Sequence, residues 1–344
     1  MIRFRSVPTM IAAGLMLALL GYVAVWYLEA NRVRAEIARF IAARADHGIM
    51  IRSDSLEIGG FPFRLEADFG HLVVDGLPFA KPAHIEAPML AARARPWSPG
   101  VWRFEAAQGF TVAVALGSAE TTSAAAGDAR GRAEAELSDP GSLVIEIDSH
   151  DLLLRTGGRS VTASHASLRL TVPGKPPEDR TTPSLTFAAV VDRAMLPSGI
   201  EPQDGVLDRL AFSGVVEGPV PEQALVPALT AWREGGGSVE LRQVTIHWGA
   251  VDLAGDGTVT LDADLQPEAA FSGRIRGWGA LLDDFVEAGT LTPDQANYYR
   301  LGLGLLTRTA ADGKSELRAP ITLQKEQIFL GPAKVGKLPL ISWE

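Results

Sequence analysis

The chain has 344 residues, enough for about two domains at roughly 150 residues each. Its 47 % hydrophobic and 21 % charged content is that of a folded chain, not a disordered one. The absence of cysteine excludes disulfides, Cys-ligated zinc, iron–sulfur clusters and thiol catalysis, and a net charge of −9 argues against a general nucleic-acid binder.

No charge falls between Arg5 and Glu29, and Met10–Leu28 (MIAAGLMLALLGYVAVWYL) is almost wholly apolar. As a helix that gap of 23 residues spans about 35 Å, against a hydrocarbon core of about 30 Å. Residues 6–28 are therefore expected to form a transmembrane helix, with Trp26 and Tyr27 at headgroup level. A cleaved signal peptide competes with this reading. Its apolar core would be shorter, about 7–15 residues, and no small-x-small site follows Leu28 directly.

Arg3 and Arg5 precede the helix, while Arg32, Arg34, Arg39 and Arg44 follow it. That balance leans slightly against an exported C-terminus, but a short basic start before an apolar run is the usual export signal. The expectation is a cytoplasmic segment 1–5, a single pass through the inner membrane, and a periplasmic remainder. Residues 29–45 place Val33, Ile37, Phe40 and Ile41 at helical spacing, so the helix is expected to continue as an amphipathic stalk. Residues 1–45 carry a balance of +4 and the rest −13, which makes the body acidic.

The body, residues 46–344, reads mostly as strands. Leu143, Ile145 and Ile147 alternate with polar residues, as do Leu168, Leu170 and Val172. Val259, Leu261, Ala263 and Leu265 repeat the pattern, and so do Leu317, Ala319, Ile321 and Leu323. Between Leu241 and Val244 the apolar phase shifts by one, which predicts a β-bulge near Arg242-Gln243. Turns are predicted at Gly157-Gly158, Gly255-Asp256-Gly257 and Ala311-Asp312-Gly313. Segment 117–141 reads either as a linker or as exposed strands.

Three short helices interrupt the strands. Leu225, Leu229 and Trp232 mark one that stops at Gly235-Gly236-Gly237, and Leu281, Leu282 and Phe285 mark another ended by Gly289. Thr292, Pro293 and Gln295 form a capping-box start for the third, expected to run through Tyr298, Leu301, Leu305 and Leu306 to about Thr309. With no βαβ rhythm, the fold class is mainly β (α+β): an extended antiparallel meander with a few short helices behind one N-terminal transmembrane helix.

Motifs for chemistry are missing. There is no Gly-x-Ser-x-Gly, His-Glu-x-x-His or Walker A sequence. His47, His71, His84, His150, His165 and His247 are scattered, and His84-Ile-Glu86 has no second ligand pair. Asp262-Ala-Asp264 reads as the wet face of a strand, and Asp252 with Asp256-Gly257 as a hairpin turn, not a calcium loop. Asp283, Asp284 and Glu287 read as the charged face of a helix near its start. Gly302-Leu-Gly304 lies inside a helix and follows no strand, so it is no dinucleotide loop. No catalytic, cofactor-binding or metal-ligating residue is assigned, and the chain is not read as an enzyme.

Ser55–Phe69 (SLEIGGFPFRLEADF), Ile85-Glu86-Ala87-Pro88, Pro96-Trp97-Ser98-Pro99, Leu281–Gln295 and the ending Leu330-Gly331-Pro332-Ala333-Lys334-Val335-Gly336-Lys337-Leu338-Pro339 occur in a telling order. Together they resemble the uncharacterised Gram-negative family called domain of unknown function 2125. The resemblance implies an inner-membrane anchor and a periplasmic body, with no established activity and no cofactor. In general look the chain is also similar to AsmA-like envelope proteins, whose β-rich bodies form lipid-handling grooves, an analogy of architecture alone. The expected function is binding of lipid or another hydrophobic ligand in envelope biogenesis; the alternative is a scaffold or assembly factor acting through protein contacts. The expected partners are the membrane and lipid, and no nucleic acid. An open apolar trough would favour the first reading and a closed core the second.

Overall fold

In the computed structural model, residues 6–344 are described apart from 47, 78–82, 117–119, 136–140, 157, 198–204, 222, 288, 290, 311–312, 314, 332, 339, 342 and 344. The chain opens with one helix, α1 (Ser6–Ala45), which joins the expected span and stalk without a break. Its side chains are described from Leu15 onward, and the expected cytoplasmic segment 1–5 lies outside the described residues. Among the described residues no helix is long and apolar enough to cross a membrane.

The strands that follow are β1 (Met50–Arg52), β2 (Ser55–Gly59), β3 (Leu65–Leu77), β4 (Ala83–Arg95), β5 (Ser98–Ala106), β6 (Phe110–Leu116), β7 (Glu120–Ala126), β8 (Asp128–Ala135), β9 (Leu143–Thr156), β10 (Arg159–Val172), β11 (Pro183–Met195) and β12 (Val206–Glu217). After α2 (Leu225–Glu234) come β13 (Ser238–Trp248), β14 (Val251–Leu261) and β15 (Pro267–Arg276). Helices α3 (Trp278–Glu287) and α4 (Pro293–Gly304) precede β16 (Thr307–Thr309), β17 (Ser315–Gln324), β18 (Gln327–Leu330) and β19 (Ala333–Lys337). The expected uncertain segment is thus strand at β7 and β8.

All these strands form one antiparallel sheet laid down almost in chain order. Strands β5 and β6 act as two halves of one long strand, since both pair with β4; β7 and β8 do the same against β9. Among the described residues β1 and β2 each pair with β3, and β19 pairs with β18, so no ladder closes the sheet.

One cross-strand row shows why this sequence makes this sheet. Ala67, Ala92, Phe104, Gly131, Ile147, Leu168, Ala189, Phe212, Val244, Gly255, Gly273 and Ala319 are successive register partners from β3 to β17. Side chains alternate faces along a strand, so these residues share one apolar face. On the other face runs Asp128, His150, His165, Asp192, Arg209, His247, Asp252 and Arg276, again as register partners.

Keeping the two faces distinct needs phase corrections. The bulge expected at Arg242-Gln243 is present, with the register shifting between Leu241 and Val244. A second correction is a transverse line of left-handed residues. His71, Gly109, Asp151 and Arg193 have φ of 45°, 75°, 53° and 48°, and the ladders skip His71, Asp151 and Arg193. Each shifts the alternation by one residue, so that Leu72 follows Phe69, and Ala194 follows Val191, on the apolar side. Aspartate tolerates this conformation better than most residues, whereas a β-branched side chain does not. We expect Asp151→Gly to leave stability nearly unchanged and Asp151→Val to lower it by about 1–3 kcal/mol in denaturant unfolding. Equal effects of the two would remove the conformational role.

Several expected boundaries are corrected. Gly255-Asp256-Gly257 is no turn but the middle of β14. A Cβ on Gly257 would meet Phe271 Cδ1 at 2.4 Å and Ala270 O at 2.3 Å, so the glycines serve close strand approach. The turn lies instead at Gly249, where φ is 55°. Strand β14 stops at Leu261. Ala263 and Leu265 belong to a turn in which Asp262 Oδ1 accepts from the Asp264 and Gln266 amides at 2.9 and 2.8 Å. The capping box of Thr292 and Gln295 is formed, but α4 ends at Gly304 rather than about Thr309, because Thr307–Thr309 pairs with β17. Asp283 and Asp284 sit mid-helix, so the helix dipole does not account for them; Asp283 is paired with Arg300 of α4.

The Gly-Phe-Pro-Phe-Arg turn joins β2 to β3 as expected, and Gly60 has φ 92°. A Cβ there would lie 2.9 Å from Arg64 O, whereas one on Gly59 meets nothing within 4 Å. Gly60→Ala should therefore destabilise by about 1–3 kcal/mol and Gly59→Ala hardly at all, measured by urea unfolding of each single variant.

Candidate functional site: an apolar trough

The apolar face is a surface that could receive an apolar ligand. Ile147, Leu168, Phe187, Phe212, Val244 and Ile246 are all partly exposed on it. Phe187 and Phe212 meet edge to face at 6.1 Å, and both stay partly exposed. Towards the N-terminal strands the face deepens into a cavity of about 240 Å³ lined by Leu72, Ile85, Leu90, Phe104, Phe110 and Ile145.

A closed core of matching size is not present among the described residues. The largest fully buried side chains are Leu65, Leu317 and Val215, each from a different part of the sheet. The chain exposes 21217 Å², against about 13,500 Å² for a compact monomer of this mass. Two sheets packed face to face would bury their inner residues; a single layer leaves them half wet.

The charged face answers the search for chemistry. Register brings His150 and His165 together, with ring centres 5.1 Å apart, although 15 positions separate them in the chain. His165 Nε2 lies 2.8 Å from Asp148 and Nδ1 lies 3.0 Å from Asp192, and Arg209 holds Asp192 at 2.8 Å. Donor atoms of Asp148, His150 and His165 lie within 4.8 Å of one another, close enough for a divalent cation. The two carboxylates already occupy both nitrogens of His165, which makes an imidazolium between two anions the chemistry the geometry favours. Hydrogen bonds to Asp148 and Asp192 raise its pKa above the ordinary imidazole value, outweighing partial burial.

Similar pairs recur along this face. His71 faces Glu86 at 3.0 Å and Asp54 at 3.3 Å, His84 faces Asp75 at 2.6 Å, and His247 faces Asp252 at 2.5 Å. Thus His84 and Glu86 do share a strand face, and their partners come from β3. Buried Glu316 accepts from Arg318 and Arg276 at 2.7 and 3.1 Å, and these hold its carboxyl below the usual range. No nucleophile activated by a base is among the pairs described, so the face reads as an ion-pair lattice that satisfies a polar back.

A pH dependence follows for His165. A raised folded-state pKa gives stabilisation that is complete below the unfolded value of about 6.5 and is lost as pH rises through the raised value. His165→Gln should therefore lower the melting temperature more at about pH 6 than at about pH 9. A difference that does not change with pH would overturn the imidazolium assignment.

No curated protein matches the chain, and no solved structure matches it, so the likeness to AsmA-like proteins stays one of general look. One family model does match, over residues 26–339, from the Trp26 seat on α1 through the last strand. The chain belongs to the bacterial family described as an uncharacterized protein conserved in bacteria, DUF2125.

Proposed function

We propose that the protein is an inner-membrane-anchored periplasmic lipid binder, in which residues 6–28 cross the bilayer and the open apolar face of the sheet holds acyl chains. The observation that carries the reading is the uninterrupted apolar row from Ala67 to Ala319 with partly exposed side chains along it. At about 4.8 Å between strands the row is about 50 Å long, a length that suits extended hydrocarbon. The acidic body does not attract anionic headgroups, so the affinity comes from burying methylenes at about 0.8 kcal/mol each.

Anchorage is supported by the helix itself. Leu15, Met16, Leu17, Leu19, Leu20, Val25, Tyr27 and Leu28 are each more than half exposed and together surround α1. A helix whose described side chains are apolar and mostly exposed from Leu15 to Val25 is suited to hydrocarbon. Orientation rests on the basic start and the long acidic body.

A scaffold role is the second reading, favoured by one feature. Tyr298 and Leu301 on α4 and Leu305 at its C-cap are 76, 77 and 87 % exposed, an apolar stripe fit for a protein contact.

The test is the full chain in nanodiscs that contain a phospholipid with a photoactivatable acyl chain. Cross-linked peptides are expected from β10, β12 and β13, around Leu168, Phe212 and Val244, besides those from α1. Phe212→Asp should remove the sheet cross-links and keep the helix ones. Cross-links confined to α1 in the unaltered chain would end the lipid reading and favour the scaffold.

A further inference from the structure

We infer that the turn Gly59–Arg64 is a second membrane-seated element, lying across the outer boundary of the hydrocarbon of the bilayer that α1 crosses. The inference rests on the proposed span of residues 6–28 and adds a contact which that span does not require.

The turn is fixed to the helix by three independent contacts. Tyr22 donates its hydroxyl to the carbonyl of Pro62. Trp26 Nε1 donates to the carbonyl of Arg64 at 2.8 Å. Phe61 meets the Trp26 ring edge to face at 5.3 Å and stacks with Tyr27 at 6.4 Å. Beneath them Trp26 and Ala30 are buried against Leu65, with Val33 and Ile58 alongside. The turn therefore shares the depth of its seat on α1 and cannot be placed independently of it.

That depth follows from the helix rise. Tyr22 lies six positions before Leu28, the last residue of the apolar run. At 1.5 Å per residue this is about 9 Å inside the end of the run. A run of about 35 Å centred on a hydrocarbon core of about 30 Å ends about 2–3 Å beyond it, so the Trp26 level falls at the outer boundary of the hydrocarbon and Pro62, at the Tyr22 level, about 6 Å inside it.

The composition of the turn suits that place. Phe61 and Phe63 are 46 and 68 % exposed, although their neighbours offer burial for only part of the rings. No acidic residue occurs from Gly59 to Arg64, and the single charge, Arg64, ends a long side chain that reaches toward headgroups. With Tyr22, Trp26 and Tyr27 the turn completes an aromatic collar on one side of the helix, the residue class favoured at membrane interfaces.

A cysteine-free chain makes the test direct. Full-length Phe63→Cys, Phe61→Cys, Leu17→Cys and Ser160→Cys are each labelled with an environment-sensitive fluorophore and reconstituted in phosphatidylcholine vesicles carrying brominated acyl chains. Leu17 reports the span, and Ser160, exposed on β10, reports the body. Quenching several-fold above the Ser160 level is expected at positions 17 and 63, stronger from shallow than from deep bromines at 63. Quenching at 17 with position 63 no different from 160 overturns the inference and keeps the span. Quenching at neither position overturns both, and quenching at 63 without 17 removes the span and with it the inference that rests on it. Position 61 repeats the reading of 63 should that variant fail to fold.

Discussion

The structure depends on segregating the two faces of a single β-layer over more than a dozen strands. In a sandwich a polar residue that strays onto the inner side meets a second sheet and is punished at once. Here there is no second sheet, so stability comes from cross-strand neighbours on each face and from the backbone ladder between them. The apolar row gains area by lateral packing, as where Phe271 lies across Gly257. The charged row gains by setting acids between bases, as in Asp192 between His165 and Arg209. Exposed ion pairs of this kind are worth little singly. Their use is to make the opposite face costly to wet, which fixes register: a slip of one residue would turn every Asp and His of the row toward the apolar side.

An open layer also has edges, and each is handled differently. The β1/β2 edge lies beside α1, with Ile58 against the Trp26 cluster. At the far end β19 is short and carries Lys334 and Lys337, charges that discourage pairing with another chain. The two ends therefore differ in kind: one is fixed to the helix and one faces water. Any membrane attachment through α1 places the N-terminal strands nearest the bilayer, and the cavity near Phe104 and Ile145 lies at that end of the row.

Much of this was legible in the sequence because period two is a local signal. The strands at Leu143–Ile147, Leu168–Val172 and Leu317–Leu323, the bulge at Arg242-Gln243 and the Thr292 cap were all readable from neighbouring residues. Gly255-Asp256-Gly257 misled because a glycine needed for close strand approach has the same composition as a turn. The end of α4 misled because Tyr298, Leu301 and Leu305 have helical spacing yet stay largely exposed, so periodicity did not report burial. The left-handed line through His71, Asp151 and Arg193 left only a faint trace, a three-residue step in an alternating pattern that looks like noise until the strands are aligned.

The histidine pairs show the deeper limit. His150 and His165 become neighbours only through the β9–β10 register, and Asp192 joins them only through β10–β11. No spacing rule on one strand could reveal a row that runs perpendicular to the chain. The same holds for the trough, since each strand contributes only one or two apolar residues at a given level and the face exists in their sum. The Gly-Phe-Pro-Phe-Arg turn stands between these cases. Its glycine conformation was readable locally, but its seat on Tyr22 and Trp26 joins positions 38 and 40 residues apart. That contact ties the first hairpin of the sheet to the helix, so the level at which α1 sits sets the level at which the apolar row begins. A body tethered by a free linker would leave that level undefined. Here the helix, the turn and the sheet edge form one continuous packed unit.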